Sequence, residues 1–233
     1  MIRETPSPRI LSEACHAFSA RFDLAAFEAS RAQRELGISL PSSLLRAAPA
    51  RQAEFVAGRF SARAALLAAG CAEPGDLGIN EDHSPRWPSG FVGSITHLEN
   101  YVSAAAASAE RVRALGLDSE RLLDDESALE LQRKVLRPEE LGRQGTSGLS
   151  PGTCTSLIFS AKESLYKALA PLVRRHFGFH DAQAIAISER EQLLLLRLEV
   201  DLGPAFKAGT ELVARYVVTE VVHTAVELSA TDE

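Results

Sequence analysis

The 233-residue chain is short of several things, and each shortage removes a class of explanation. It has only three cysteines, Cys15, Cys71 and Cys154, far apart and without a CxxC pair, so neither a zinc knuckle nor a disulfide framework is indicated and a reducing cytoplasm fits best. It lacks a basic excess. The formal net charge of -6 argues against general nucleic-acid binding, which needs a positive field to neutralise phosphates, while leaving room for a local arginine cluster that holds one small anionic ligand. The opening stretch "MIRETPSPRILSEACHAFSARFDL" has no uninterrupted apolar run like that of a signal peptide, and no later segment is apolar for long enough to span a bilayer. No nucleophile stands out either. With 45% hydrophobic residues, the expectation is a soluble intracellular chain forming one large domain or two compact halves.

What is there falls into helix-then-strand order twice, although no residue-level repeat accompanies it. "RQAEFVAGRFSARAALLAAG", Arg51 to Gly70, reads as an amphipathic helix with Phe60, Ala64 and Leu67 at helical spacing, and its Arg59 and Arg63 share a face. The turn-rich "EPGDLGINEDHSPRWPSG" follows, then strands "FVGSITH" and "YVSAAAAS". A third strand, "RVRALGLDSE", runs into the charged helix "DDESALELQRKVL", which Pro138 is expected to end. The glycine- and serine-rich loop from Gly142 to Gly152 is expected to be mobile. It leads to a second helix over Thr155 to Arg174, with Ile158, Ala161, Leu165, Leu169 and Leu172 as its buried stripe. "AQAIAIS", "QLLLLRLEV" and "ELVARYVVTEVVHTAVEL" then read as strands, the last a pair or a long bent ribbon.

Three acids hold the chemical interest. Asp118 and Glu120 lie two apart at the end of a strand, so both carboxylates point to the same side, where their repulsion calls for a metal or a basic group. Magnesium favours a few carboxylate oxygens together with waters and substrate phosphate, and Glu163 on the second helix is the candidate third carboxylate. Each feature alone reads as solvated surface, Glu163 as half of an i,i+4 pair with Lys167.

Taken together and in order, "RQAEFVAGRFSARAAL", "WPSGFVGSITH", "LGLDSE" and "FSAKESLYKAL" resemble the 4'-phosphopantetheinyl transferases of the surfactin-synthetase-activating type, in the enterobactin synthetase component D-like branch. The resemblance spans roughly residues 50 to 170. It implies an α+β, pseudo-twofold fold: an N-terminal half, residues 1–114, with the coenzyme A-binding helix and strands, and a C-terminal half, residues 115–233, with the metal-binding strand end and catalytic helix. The cleft between them is implied to be the active site. The implied reaction moves the phosphopantetheine arm of coenzyme A to a serine of an apo acyl, peptidyl or aryl carrier protein, in the presence of Mg2+, and releases adenosine 3',5'-bisphosphate. The missing nucleophile then belongs to the partner.

By the same resemblance Asp118, Glu120 and Glu163 bind the metal, Glu163 serving also as general base, directly or through a metal-bound water, and Lys162 and Lys167 are catalytic groups that face the phosphates, Lys167 as donor or charge stabiliser at the bridging oxygen. Thr96, His97, Arg59, Arg63 and Arg86 contact the anionic groups of coenzyme A, for which the arginine fork is well matched. A monomer without nucleic-acid or membrane partners is implied. Ser119, in the middle of "DSE" where many relatives carry an aliphatic residue, and Phe159, where tryptophan is frequent, depart from the family pattern. Two other readings use the same residues: a magnesium-dependent nucleotide pyrophosphohydrolase, marked by release of adenosine bisphosphate without a carrier, and a noncatalytic module that binds coenzyme A or a carrier without turnover.

Overall fold

Small side chains govern how the first part of the chain packs. The computed structural model describes residues 2–142 and 148–231, and the chain divides into two units, Met1–Ser7 with Ser12–Arg113 and Pro8–Leu11 with Ala114–Glu233. The first contains β1 (Ile2–Thr5), β2 (Cys15–Phe22), α1 (Ala29–Leu36), α2 (Pro49–Ala68), β3 (Phe91–Leu98) and β4 (Tyr101–Ser108). Its strands form an antiparallel sheet in the order β1-β2-β4-β3. The interior strand β4 buries alanines 104 to 107 on both faces, and Ala104 and Ala106 meet Ala62, Ala65 and Leu66 of α2. A Cβ added at Gly58 would stand 3.2 Å from the Ile95 side chain, so α2 lies close against β3 there.

The expected apolar face of α2 is therefore rotated. Leu67 is 54% exposed, and the buried surface is built from Val56, Ala57, Ala62, Ala65 and Leu66. Phe60, Ala64 and Leu67 have the right spacing, but close packing on an alanine-rich strand favours the face with the smaller side chains.

The second unit takes in most of β5 (Val112–Arg121), then α3 (Asp125–Val135), α4 (Pro138–Leu141), α5 (Pro151–Val173), β6 (Ala182–Ser188), β7 (Leu193–Leu198), β8 (Glu211–Val218) and β9 (Val221–Ser229). The sheet order is β5-β9-β8-β7-β6. Asp124 caps α3 by accepting a hydrogen bond from Ser127 N at 2.7 Å, and Ser150 caps α5 by accepting one from Thr153 N at 3.2 Å. Pro138 does not end α3, which stops at Val135, but opens α4, where its missing N–H is no loss. For the same reason α5 starts at Pro151, ahead of the expected Thr155. Of the loop expected to be mobile, residues 143–147 lie outside the described residues, and Pro151 and Gly152 already belong to the helix.

On α5 the residues Ile158, Ala161, Leu165 and Leu169 are fully buried as the spacing predicts, whereas Leu172 is 36% exposed near the helix end. Opposite them β7 alternates, with Leu194, Leu196 and Leu198 turned into the same core. The last expected ribbon resolves into two antiparallel strands, β8 and β9. Both units are mixed α and β, and among the described residues no helix is long and apolar enough to cross a membrane.

Candidate active site

Strand parity sorts the end of β5. Gly116, Asp118 and Glu120 share one face, and Ser119 points the other way. The shared face is the one turned to α5: a Cβ on Gly116 would fall 1.8 Å from Ser164 O, a gap only glycine can occupy. Lys167, on the same helix, donates to Asp118 Oδ1 at 2.6 Å and to Leu117 O at 3.0 Å. On the neighbouring strand, Thr224 also faces α5, its hydroxyl 2.9 Å from that of Ser160 and 2.7 Å from that of Ser164. Tertiary packing thus fixes where Glu163 and Lys167 stand relative to the β5 carboxylates.

The three acids feel one another. Burial, then the charge of Asp118, pushes the Glu120 carboxyl up to about 7, with Glu163 adding to the rise and Lys167 opposing it. Glu163 is also raised, mainly by burial and further by Asp118, against the pull of the Lys167 ammonium. Among the described residues no three His, Cys, Asp or Glu side chains are drawn together tightly enough to enclose a metal ion. Lys167 supplies the positive charge beside Asp118. The donor chemistry nonetheless fits a hard divalent cation: Asp118 pairs with the Lys167 ammonium, Glu120 and Glu163 feel its charge, and the burial and carboxylate repulsion that raise Glu120 are what such an ion offsets.

Lys162 does not join this group. Its side chain is 2% exposed, and its ammonium is committed to Glu140 Oε2 at 2.8 Å and Val135 O at 2.9 Å. Glu140, with no exposure at all, accepts further hydrogen bonds from Arg137 N and Ala184 N, each at 2.6 Å. Burial lowers the Lys162 pKa against the attraction of Glu140. The structure does not bring Lys162, expected to face phosphate, to Lys167: five residues apart on α5, the two leave the helix in different directions, and Lys162 with Glu140 ties α5 to α3, α4 and β6.

The first unit has a cavity of about 250 Å³ lined by Arg51, Glu54, Phe55, Arg59, His83 and His97, among others. His97 Nε2 accepts from Arg51 Nη1 at 3.1 Å, and Arg51 also donates to Glu54 at 3.2 Å. Arg59, buried, donates to Leu77 O at 3.0 Å and Gly78 O at 3.3 Å, with its guanidinium 4.7 Å from the Phe55 ring centre. Two arginines and two histidines around an open volume are suited to an anion.

Of the five expected anion contacts, this cavity gathers Arg59 and His97. Thr96 is buried on the opposite face of β3, since successive strand residues point apart. Arg63 donates to Leu36 O at 2.7 Å and so caps the end of α1. Arg86 binds Asn80 Oδ1 and Ile79 O, holding its own loop. Conversely, Arg51, Glu54 and His83 were missed. Arg51 lies about two turns and Glu54 just over one turn before Arg59 on the same helix, a signal the spacing contained, whereas His83, in the left-handed region at φ 67, sits in a loop with no pattern to follow.

Similarity to known proteins is consistent along the chain. Residues 40–107 match the family model of the 4'-phosphopantetheinyl transferase N-terminal domain, and residues 114–220 match that of the 4'-phosphopantetheinyl transferase superfamily, together about three quarters of the sequence. The chain belongs to the 4'-phosphopantetheinyl transferase superfamily. Among curated relatives it is 37% identical to 4'-phosphopantetheinyl transferase Npt of Nocardia iowensis over 57% of this chain and 58% of that one. It is 34% identical to enterobactin synthase component D of Salmonella typhi over 68% and 62% respectively. The chain thus spans about six tenths of the length of these curated relatives. A solved holo-[acyl-carrier-protein] synthase of Thermotoga maritima aligns with 50% of this chain and 63% of its own at 17% identity and a TM-score of 0.39, too slight a likeness to carry any argument.

Proposed function

We infer that this chain transfers the phosphopantetheine arm of coenzyme A to a serine of an apo carrier protein, with magnesium, and releases adenosine 3',5'-bisphosphate. The observation that carries the reading is the shared electrostatic neighbourhood of Asp118, Glu120 and Glu163 beside Lys167, with Glu120 pushed to about 7. Magnesium, held by oxygens of those three acids, would neutralise charge on the diphosphate. The serine hydroxyl of the carrier attacks phosphorus, its O–P bond forming as the P–O bond to adenosine bisphosphate breaks. Glu163, with its raised pKa, accepts the hydroxyl proton at its carboxylate. Lys167 steadies the negative charge of the leaving phosphate with its ammonium.

Arg51, Arg59 and His97 in the first unit receive the anionic nucleotide end of coenzyme A. The likeness to an enterobactin synthase component D favours a carrier of siderophore or other peptide synthesis, with polyketide and fatty-acid carriers as the alternatives to be compared. The chain works as a monomer in the cytoplasm, where its buried thiols Cys15, Cys71 and Cys154 stay reduced.

The test is incubation with coenzyme A, magnesium and a panel of apo acyl, peptidyl and aryl carriers, scored by the mass of the carrier. Gain of the phosphopantetheine arm, abolished by chelator, supports the reading. Adenosine bisphosphate released at the same rate without any carrier would instead identify a pyrophosphohydrolase, and binding without turnover a noncatalytic module.

A further inference from the structure

The strand that carries Asp118 and Glu120 is an edge strand, the outermost of the sheet order β5-β9-β8-β7-β6. Edge strands have a ladder on one side only, so the direction of side chains near their ends depends on whatever else holds them. On the α5 side that support includes the Lys167 ammonium and the contact of Gly116 with Ser164. On the opposite side it includes Ser119, between the two acids. Its hydroxyl lies 2.8 Å from His223 Nδ1 on β9, and the two residues are 1% and 7% exposed.

Parity makes the arrangement coherent. On β9, Thr224 faces α5 and His223 faces away from it; on β5, Asp118 and Glu120 face α5 and Ser119 faces away from it. The Ser119–His223 bond therefore crosses from the edge strand to its neighbour on the face remote from the carboxylates. An aliphatic residue at 119 would fill space there, but it would not fix the strand end by a directed bond, and it would leave a buried imidazole nitrogen without this partner.

We propose that Ser119 and His223 form a positioning pair that sets Asp118 and Glu120 at the separation a divalent cation requires. The proposal rests on the metal assignment of the proposed function. Neither residue touches the reacting atoms; both act through the direction of the carboxylates on either side of Ser119. Partners standing one step behind metal-binding groups commonly change metal affinity about 10- to 100-fold when removed.

The experiment titrates magnesium into the full chain by calorimetry, without coenzyme A or carrier, and in parallel measures transfer at saturating magnesium. Ser119→Ala is expected to weaken magnesium binding about tenfold, while the KM for coenzyme A stays within about twofold and far-UV circular dichroism is unchanged. Ser119→Thr, which keeps the hydroxyl, restores magnesium binding to within about threefold. His223→Asn, whose side-chain amide can stand near the Nδ1 position, does the same, and it approaches the pair from the other strand should Ser119→Ala fail to fold. Magnesium binding by Ser119→Ala equal to the unmodified protein, or by Ser119→Thr or His223→Asn as weak as tenfold down, overturns the proposal. If the unmodified chain binds no magnesium, the pair and the metal assignment fall together; if it binds magnesium but modifies no carrier, the transferase reading alone falls.

Discussion

Replacing Lys162 by methionine separates a structural lysine from a phosphate-binding one. The Lys162 side chain is 2% exposed and its ammonium is bonded at 2.8 Å to Glu140, which has no exposure and takes two backbone N–H groups besides. Methionine fills much of the space left by the lysine stem but leaves the Glu140 charge buried with, among the described residues, only those two N–H groups hydrogen-bonded to it. Breaking a buried pair from one side costs about 3–5 kcal/mol, a large share of the roughly 5–15 kcal/mol that holds an ordinary domain together. Urea unfolding followed by far-UV circular dichroism reads that loss as a lower midpoint with the slope unchanged. Adding Glu140→Gln removes the second charge while keeping an acceptor, so the double variant should be more stable than Lys162→Met alone. A loss below about 1 kcal/mol in the single variant, or a double variant that is worse by the sum of both singles, refutes the reasoning.

Three other outcomes follow from the geometry. Glu120 has a folded pKa of about 7 against 4.5, so the native state holds a proton the unfolded chain has released, and this carboxyl weakens the fold as pH rises from about 4.5 to 7. His223, at about 4 against 6.5, acts in the opposite sense: the unfolded chain gains a proton as pH falls below 6.5, and stability drops toward pH 4. Glu120→Gln removes the first effect alone and should stabilise by about 1 kcal/mol at pH 8, a value discounted for partial exposure, with no gain at pH 4.5; equal gains at both pH values would contradict it. Gly116→Ala drives a methyl into Ser164 O and should cost about 3 kcal/mol or more while displacing Glu163 from Asp118, read as joint loss of melting temperature and kcat. Arg51→Ala or His97→Ala should each raise the KM for coenzyme A about tenfold with kcat little altered, whereas Arg63→Ala, which frees only the end of α1, should leave KM where it is; a KM effect confined to Arg63 would reverse the assignment.

Much of this arrangement was legible in the residues because local period and motif agree. Strand β5 with its two same-side acids, the hairpin of β3 and β4, and the buried stripe of α5 from Ile158 to Leu169 all follow from spacing. Other parts needed the fold. Lys162 and Glu140 are separated by 22 positions, and nothing in either segment says that they meet in a core. The face of α2 was misjudged because burial there follows closeness of approach, which alanine and Gly58 permit, and not side-chain size. Thr96 and His97 are a different case: adjacent strand residues cannot share one pocket by their side chains, the same alternation that puts Asp118 and Glu120 on one side of β5. Strands β1 and β2 and helix α1 had no motif to announce them: β2 is placed by its pairing with β4, β1 by its pairing with β2, and α1 by its packing against α2.

Glu163 is proposed to take a proton from the hydroxyl of a carrier serine, and the rate of carrier modification by Glu163→Gln measures this most directly. The amide keeps the shape and cannot serve as a base, so kcat should fall at least about 100-fold with the circular dichroism spectrum intact. Transfer by Glu163→Gln at the rate of the unmodified chain would contradict the account.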